Sequence, residues 1–97
     1  MLVPFNPKFG AGVTVTPNVA SATATKGLDS KTICFSNLGT TTVFVKLGYA
    51  GITATAADYP VLAASQVTLG KDEQFDTVAY ISPAGAGSLH IIQGEGF

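Results

Sequence analysis

The feature that most constrains this chain is alternation. From Gly12 onward, apolar and polar residues change places every second position, and turn-forming residues interrupt the runs. A period of two puts successive side chains on opposite faces of an extended backbone, so each run reads as a β-strand. Gly12 to Thr16 alternates strictly. Val19 to Thr25 alternates with Ala and Ser, which makes it a weakly filled strand or an edge. Lys31 to Asn37 sets Ile33 and Phe35 against Thr32, Cys34 and Ser36. Thr40 to Leu47 sets Val43, Val45 and Leu47 against Thr42, Phe44 and Lys46. Asn37-Leu38-Gly39 between the last two runs predicts a hairpin. Gln66 to Leu69 is a short strand. Phe75 to Ser82 is a long one, with Pro83 to Gly87 as the turn and Ser88 to Gln93 as its return partner. The stretch from Gly48 to Tyr59 is loosened by Gly48 and Gly51, with a short strand at 52–55 as one reading and a loop or single helical turn after it.

About eight short strands, turn signals every 8–12 residues or so and no helical period predict an all-β fold, an antiparallel sandwich or small barrel. Eight antiparallel strands would suit a jelly roll, although spacing does not give strand order. The Thr- and Val-rich composition supports strands independently. The organisation expected is an extended arm over 1–12 and a single domain over 13–97.

The arm has no period. Pro4 and Pro7 remove two donors and hold the backbone extended, yet Leu2, Val3, Phe5 and Phe9 are large and apolar. Such a segment needs a surface to lie on. That surface is either its own core or a neighbouring subunit, and both readings stay open. The start of the chain lacks a basic region followed by a continuous apolar run, so it is not read as a signal peptide.

Charge excludes some functions. Only 11% of residues are charged against 46% hydrophobic, and there is no Arg; the five Lys are scattered. Nucleic-acid binding draws on clustered Lys and Arg, so none is expected. No stretch approaches the length of a membrane span, about 20 apolar residues. A surface so poor in charge fits a protein that buries much of it against partners.

Chemistry is scarce. His90 is the only histidine, on the face opposite Leu89 and Ile91, and Cys34 the only cysteine, opposite Ile33 and Phe35. One of each on separate strands supplies neither a nucleophile–base pair nor a set of metal ligands. Asp72, Glu73 and Asp76 read as a solvated turn, since they lack the spacing of a calcium loop. Gly85, Gly87, Gly94 and Gly96 read as turn and tail glycines rather than a phosphate loop. No enzyme activity, no metal and no cofactor are expected. The aromatics pose a different question, because such residues anchor interfaces. Phe44 lies opposite the apolar stripe of its strand, so either both faces of that sheet are covered or Phe44 meets a partner. Tyr49 and Tyr59 are placed in loops at one end. Together with Leu2, Val3, Phe5, Phe9 and Phe97 they are the candidate interface residues.

The second half of the chain resembles small virion structural proteins of tailed bacteriophages. The resemblance runs over about residues 33–97. It is carried by the Asn37-Leu38-Gly39 turn within Phe35 to Gly48, by Pro60-Val61-Leu62, by the strand Phe75 to Ser82 leading to Gly85-Ala86-Gly87, and by the ending Gly94-Glu95-Gly96-Phe97. It implies a capsid decoration (cement) protein located in the virion. Its expected partners are the major capsid protein or other virion proteins and further copies of itself, a trimer being favoured. No catalytic residues come with it. The alternative it leaves is a tail- or head-fibre module that binds a host surface glycan or receptor.

Overall fold

A computed structural model describes residues 6–7, 12–25, 32–49, 51–70 and 75–95. Among them are nine strands: β1 (Asn6–Pro7), β2 (Val13–Val15), β3 (Ala22–Thr25), β4 (Thr32–Asn37), β5 (Val43–Gly48), β6 (Tyr59–Val61), β7 (Gln66–Gly70), β8 (Thr77–Ile81) and β9 (Leu89–Glu95). The all-β expectation holds. β1 and β2 lie end to end along one edge of β9, with Pro7 opposite Gly94 and Val13 opposite Ile91. Counting them as one position gives two four-stranded antiparallel sheets, ordered β1/β2-β9-β4-β7 and β3-β8-β5-β6.

The pairing is nested. β2 meets β9, β3 meets β8, β4 meets β7 and β5 meets β6, like the rungs of one long hairpin whose tip is the β5–β6 connection. Rolling that hairpin on itself adds the contacts β4–β9 and β5–β8 and closes two sheets. This is a jelly roll.

The winding corrects two sequence expectations. The runs around Asn37-Leu38-Gly39 do not form a hairpin: β4 lies in the first sheet and β5 in the second. The runs on either side of Pro83 to Gly87 are likewise split between sheets, as β8 and β9. Of strands consecutive in the chain, only β5 and β6 pair among the described residues. Connections that look like tight turns cross between layers instead, because each strand gains two long-range ladders by doing so. Two smaller corrections follow. Residues 52–55 are not a strand, and Tyr59 opens β6 rather than sitting in a loop. Asn6–Pro7, inside the expected extended arm, pairs with Gly94–Glu95.

Alternation selects the core. Ile33 and Phe35 of β4, Val43 and Val45 of β5, Val61 of β6, Val78 and Tyr80 of β8, and Leu89 and Ile91 of β9 point between the sheets and are buried. Val13, Val15, Leu47, Val67 and Leu69 pack around them. Each fully buried Val, Leu, Ile or Phe contributes roughly 1.5–3 kcal/mol. The outer face of the second sheet is partly covered as well. The β5–β6 connection folds across it, with Ile52 so close to Gly48 that a Cβ there would meet its Cγ2 at 3.2 Å. The Ala54 amide donates to Ser21 Oγ at 2.9 Å. Outward-facing Thr77 and Ala79 are buried in consequence. Pro60 sits on an edge strand, where a missing N–H costs no ladder bond.

Candidate interaction surface

Four connections meet at one end of the sandwich: residues 16–21, 38–42, 62–65 and 82–88. The register requires it, since Asn37 pairs with Leu89 and Val43 with Val61. They are bound to one another through the backbone. Ser82 N–H donates to Asn18 O at 2.9 Å, Gly87 N–H to Pro17 O at 2.8 Å, and Leu38 N–H to Ser88 O at 2.9 Å. Asn37 N–H donates to Ser65 O at 2.8 Å. Side chains add to this. The hydroxyls of Thr41 and Ser82 are 2.9 Å apart, and buried Asn37 donates its amide to Thr41 O at 2.8 Å and Val61 O at 2.9 Å. Its Oδ1 accepts from Gly39 N–H at 3.0 Å. Gly87 permits the close approach, because a Cβ there would lie 3.0 Å from Thr41 Oγ1.

On this cross-linked platform stand the three most exposed large aliphatic side chains among the described residues: Val19 at 62%, Leu38 at 64% and Leu62 at 61%. None of the residues in the four connections is charged. The charged residues fall elsewhere. Asp58 and Asp76 precede β6 and β8 at the opposite end, and Lys46 lies on the outer face of β5. Single exposed apolar residues are ordinary; here three stand on the connections of one charge-free, well-fixed end.

Of the residues expected at an interface, the structure describes Phe44, Tyr49 and Tyr59. Tyr49 and Tyr59 are exposed toward the opposite end, and Tyr49 meets the Phe75 ring edge-on at 5.3 Å. Phe44 is half-buried on the outer face of the second sheet, paired with Pro60 on one side and Ile81 on the other. Leu2, Val3, Phe5, Phe9 and Phe97 lie outside the described residues, as do Asp72 and Glu73. Sequence reasoning missed Val19, Leu38 and Leu62. The available signal was a large aliphatic residue set among turn formers, as in Asn37-Leu38-Gly39, where a polar residue is usual.

His90 faces out from β9, as expected, and its Nδ1 lies 3.0 Å from the Thr14 hydroxyl. The neighbouring strands continue the row, with Gln66 Nε2 donating to Ser36 Oγ at 3.0 Å. Cys34 is one row away, opposite Ile92 and Thr68, and buried. Among the described residues there is no group of three His, Cys, Asp or Glu side chains that could hold a metal, and no pocket.

No family model and no curated protein matches this chain. Solved structures similar to it in fold include the following. PirA superposes with a TM-score of 0.60 at 13% identity, over 89% of this chain and 95% of its own. A protein of the Bacillus endospore appendages, a family of disulfide-linked pili, superposes with a TM-score of 0.54 at 20% identity, over 87% and 83%. A de novo designed double-stranded β-helix gives 0.50 at 12% identity, over 87% and 97%. At these identities the likeness establishes the architecture and leaves function to the surface.

Proposed function

We propose that this chain is a structural assembly protein that works by binding other proteins, without catalysis, metal or cofactor. The observation that carries this is the uncharged loop platform with Val19, Leu38 and Leu62 exposed on it. Hydrogen bonds already fix the platform, so docking costs little loop ordering. Covering a Val or Leu side chain fully contributes about 1.5–3 kcal/mol, less the cost of association. The similarity to a protein of endospore appendage pili supports an assembly role in general terms.

The finer reading rests on the resemblance of residues 33–97 to small virion proteins of tailed phages. In it the protein is a capsid decoration protein in the virion, bound as a homo-oligomer, with three copies favoured, on the major capsid protein. It stabilises the shell by adding buried area across the joints between subunits. Co-sedimentation of the purified protein with expanded capsids of a tailed phage tests this, together with the heat resistance of the decorated shells. Binding with raised heat resistance is expected. No binding to shells, with binding to host surface polysaccharide instead, would replace this reading with that of a fibre module.

A further inference from the structure

β7 is the outer strand of the first sheet, paired with β4 on one side and with no other strand among the described residues. Asn37 N–H donates to Ser65 O at 2.8 Å, and the ladder continues in the same register from Ser36 opposite Gln66 to Thr32 opposite Gly70. In an antiparallel ladder, pairs that exchange hydrogen bonds alternate with pairs that do not. Val67 and Leu69 therefore bond to β4, and the N–H and C=O groups of Gln66, Thr68 and Gly70 point out from the sheet edge. Such a row is a template for another strand, and proteins usually blunt it with Pro, a charge or a bulge. β7 has none of these: it reads Gln-Val-Thr-Leu-Gly in unbroken register. The other edges are poorer templates. β1 holds Pro7 and β6 holds Pro60, and Val61 O in β6 already accepts from Asn37. β2 is three residues long, and β3 brings only Ala and Thr.

The occupant of such an edge must be an extended strand, and β7 fits a copy of itself. Antiparallel pairing about Thr68 sets Gln66 opposite Gly70, Thr68 opposite Thr68 and Gly70 opposite Gln66. Each of these pairs exchanges two backbone hydrogen bonds, so every outward group of both strands is satisfied. On the inner face the same register sets Val67 of one copy beside Leu69 of the other. Both are half-buried at the rim of the core, so the two cores become continuous. We propose that two copies of the chain pair edge to edge through β7, with Thr68 on the two-fold axis, and join their first sheets into one. The contact is isologous and closes at two copies. It rests on the assembly reading for its role and assigns that reading a partner, a second copy of this chain. One strand pair buries little area by the standard of stable complexes, so the dimer exchanges with monomer.

Full-length variants at Thr68 test the proposal, because its N–H faces away from β4 and its side chain lies on the outer face, opposite Cys34. Thr68→Pro removes the central outward N–H from both copies without losing a bond to β4. Thr68→Lys and Thr68→Glu each set like charges across the axis, and a mixture of the two sets opposite ones. Sedimentation equilibrium of the wild type should show a mass rising with concentration toward twice the monomer. Each variant alone should be folded by circular dichroism and dimerise at least about tenfold more weakly. The Lys and Glu variants in equal amounts should dimerise more tightly than either does alone. A wild type that is monomeric at every concentration, a Thr68→Pro protein with the wild-type mass profile, or a mixture no tighter than its components would overturn the proposal. Should the Pro variant unfold, the Lys and Glu pair decides alone. Capsid binding by a wild type that never dimerises would refute the edge pairing and leave the assembly reading standing. A dimer that depends on Thr68 but binds no capsid would uphold the pairing and refute the capsid reading.

Discussion

Asn37 of β4 donates its side-chain amide to the carbonyl of Val61 in β6, 2.9 Å away and in the other sheet. The same amide donates to Thr41 O, while Oδ1 accepts from Gly39 N–H, so one buried side chain fixes the corner where the chain changes layers. Removing a partner from buried polar groups costs about 1–3 kcal/mol. Asn37→Leu should therefore destabilise the fold by about 2–4 kcal/mol. Asn37→Asp should cost more, because an anion would face two carbonyls. Urea unfolding with an unchanged m-value reads both, and an unaltered midpoint in Asn37→Leu would refute the role.

Ala64 has a φ of 56°, in the left-handed region, within a turn closed by Ser65 N–H and Ser65 Oγ onto Leu62 O. A Cβ there costs roughly 1–2 kcal/mol, and glycine gives back part of the gain in backbone entropy. Ala64→Gly should stabilise the protein by up to about 1 kcal/mol, whereas Ala64→Val should weaken it. Thermal unfolding of the pair gives the sign.

Burial pushes the Tyr80 hydroxyl above the ordinary tyrosine value of 10.0, by disfavouring the phenolate. Below that value Tyr80 is neutral in both states and its contribution is complete. Above it the unfolded chain loses a proton that the folded protein keeps, so stability falls as pH rises from the ordinary value through the folded one. Denaturation midpoints should decline past about pH 10. In Tyr80→Phe that part of the decline should vanish. An identical alkaline profile in the two proteins would show that Tyr80 is not its source.

Cys34 is 3% exposed and lies on a central strand. Its thiol should resist a disulfide-forming reagent in native buffer and react fully in urea. Rapid native labelling would mean that β4 opens far more readily than its two ladders suggest.

Much of the fold was legible because alternation records which face a residue takes. The inward set of Ile33, Phe35, Val43, Val45, Leu89 and Ile91, and the outward aspect of His90 and Cys34, could be read directly. Partners could not. Asn37-Leu38-Gly39 looks like a hairpin turn, yet Asn37 spends its hydrogen bonds on Thr41 and Val61 and sends the chain across the sandwich. Nor could the platform be foreseen. Val19, Leu38 and Leu62 are far apart in sequence, and only the nested pairing gathers their connections at one end.

The sequence by itself determined that this protein is built of strands, which residues face inward, and that it carries little catalytic equipment, because a period of two and a residue inventory are local properties. The tertiary structure alone decided the jelly-roll winding and the gathering of four uncharged connections at one end. These depend on which distant strands complete one another's hydrogen-bond ladders, and a backbone N–H and C=O carry no mark in the sequence of the partner they will find.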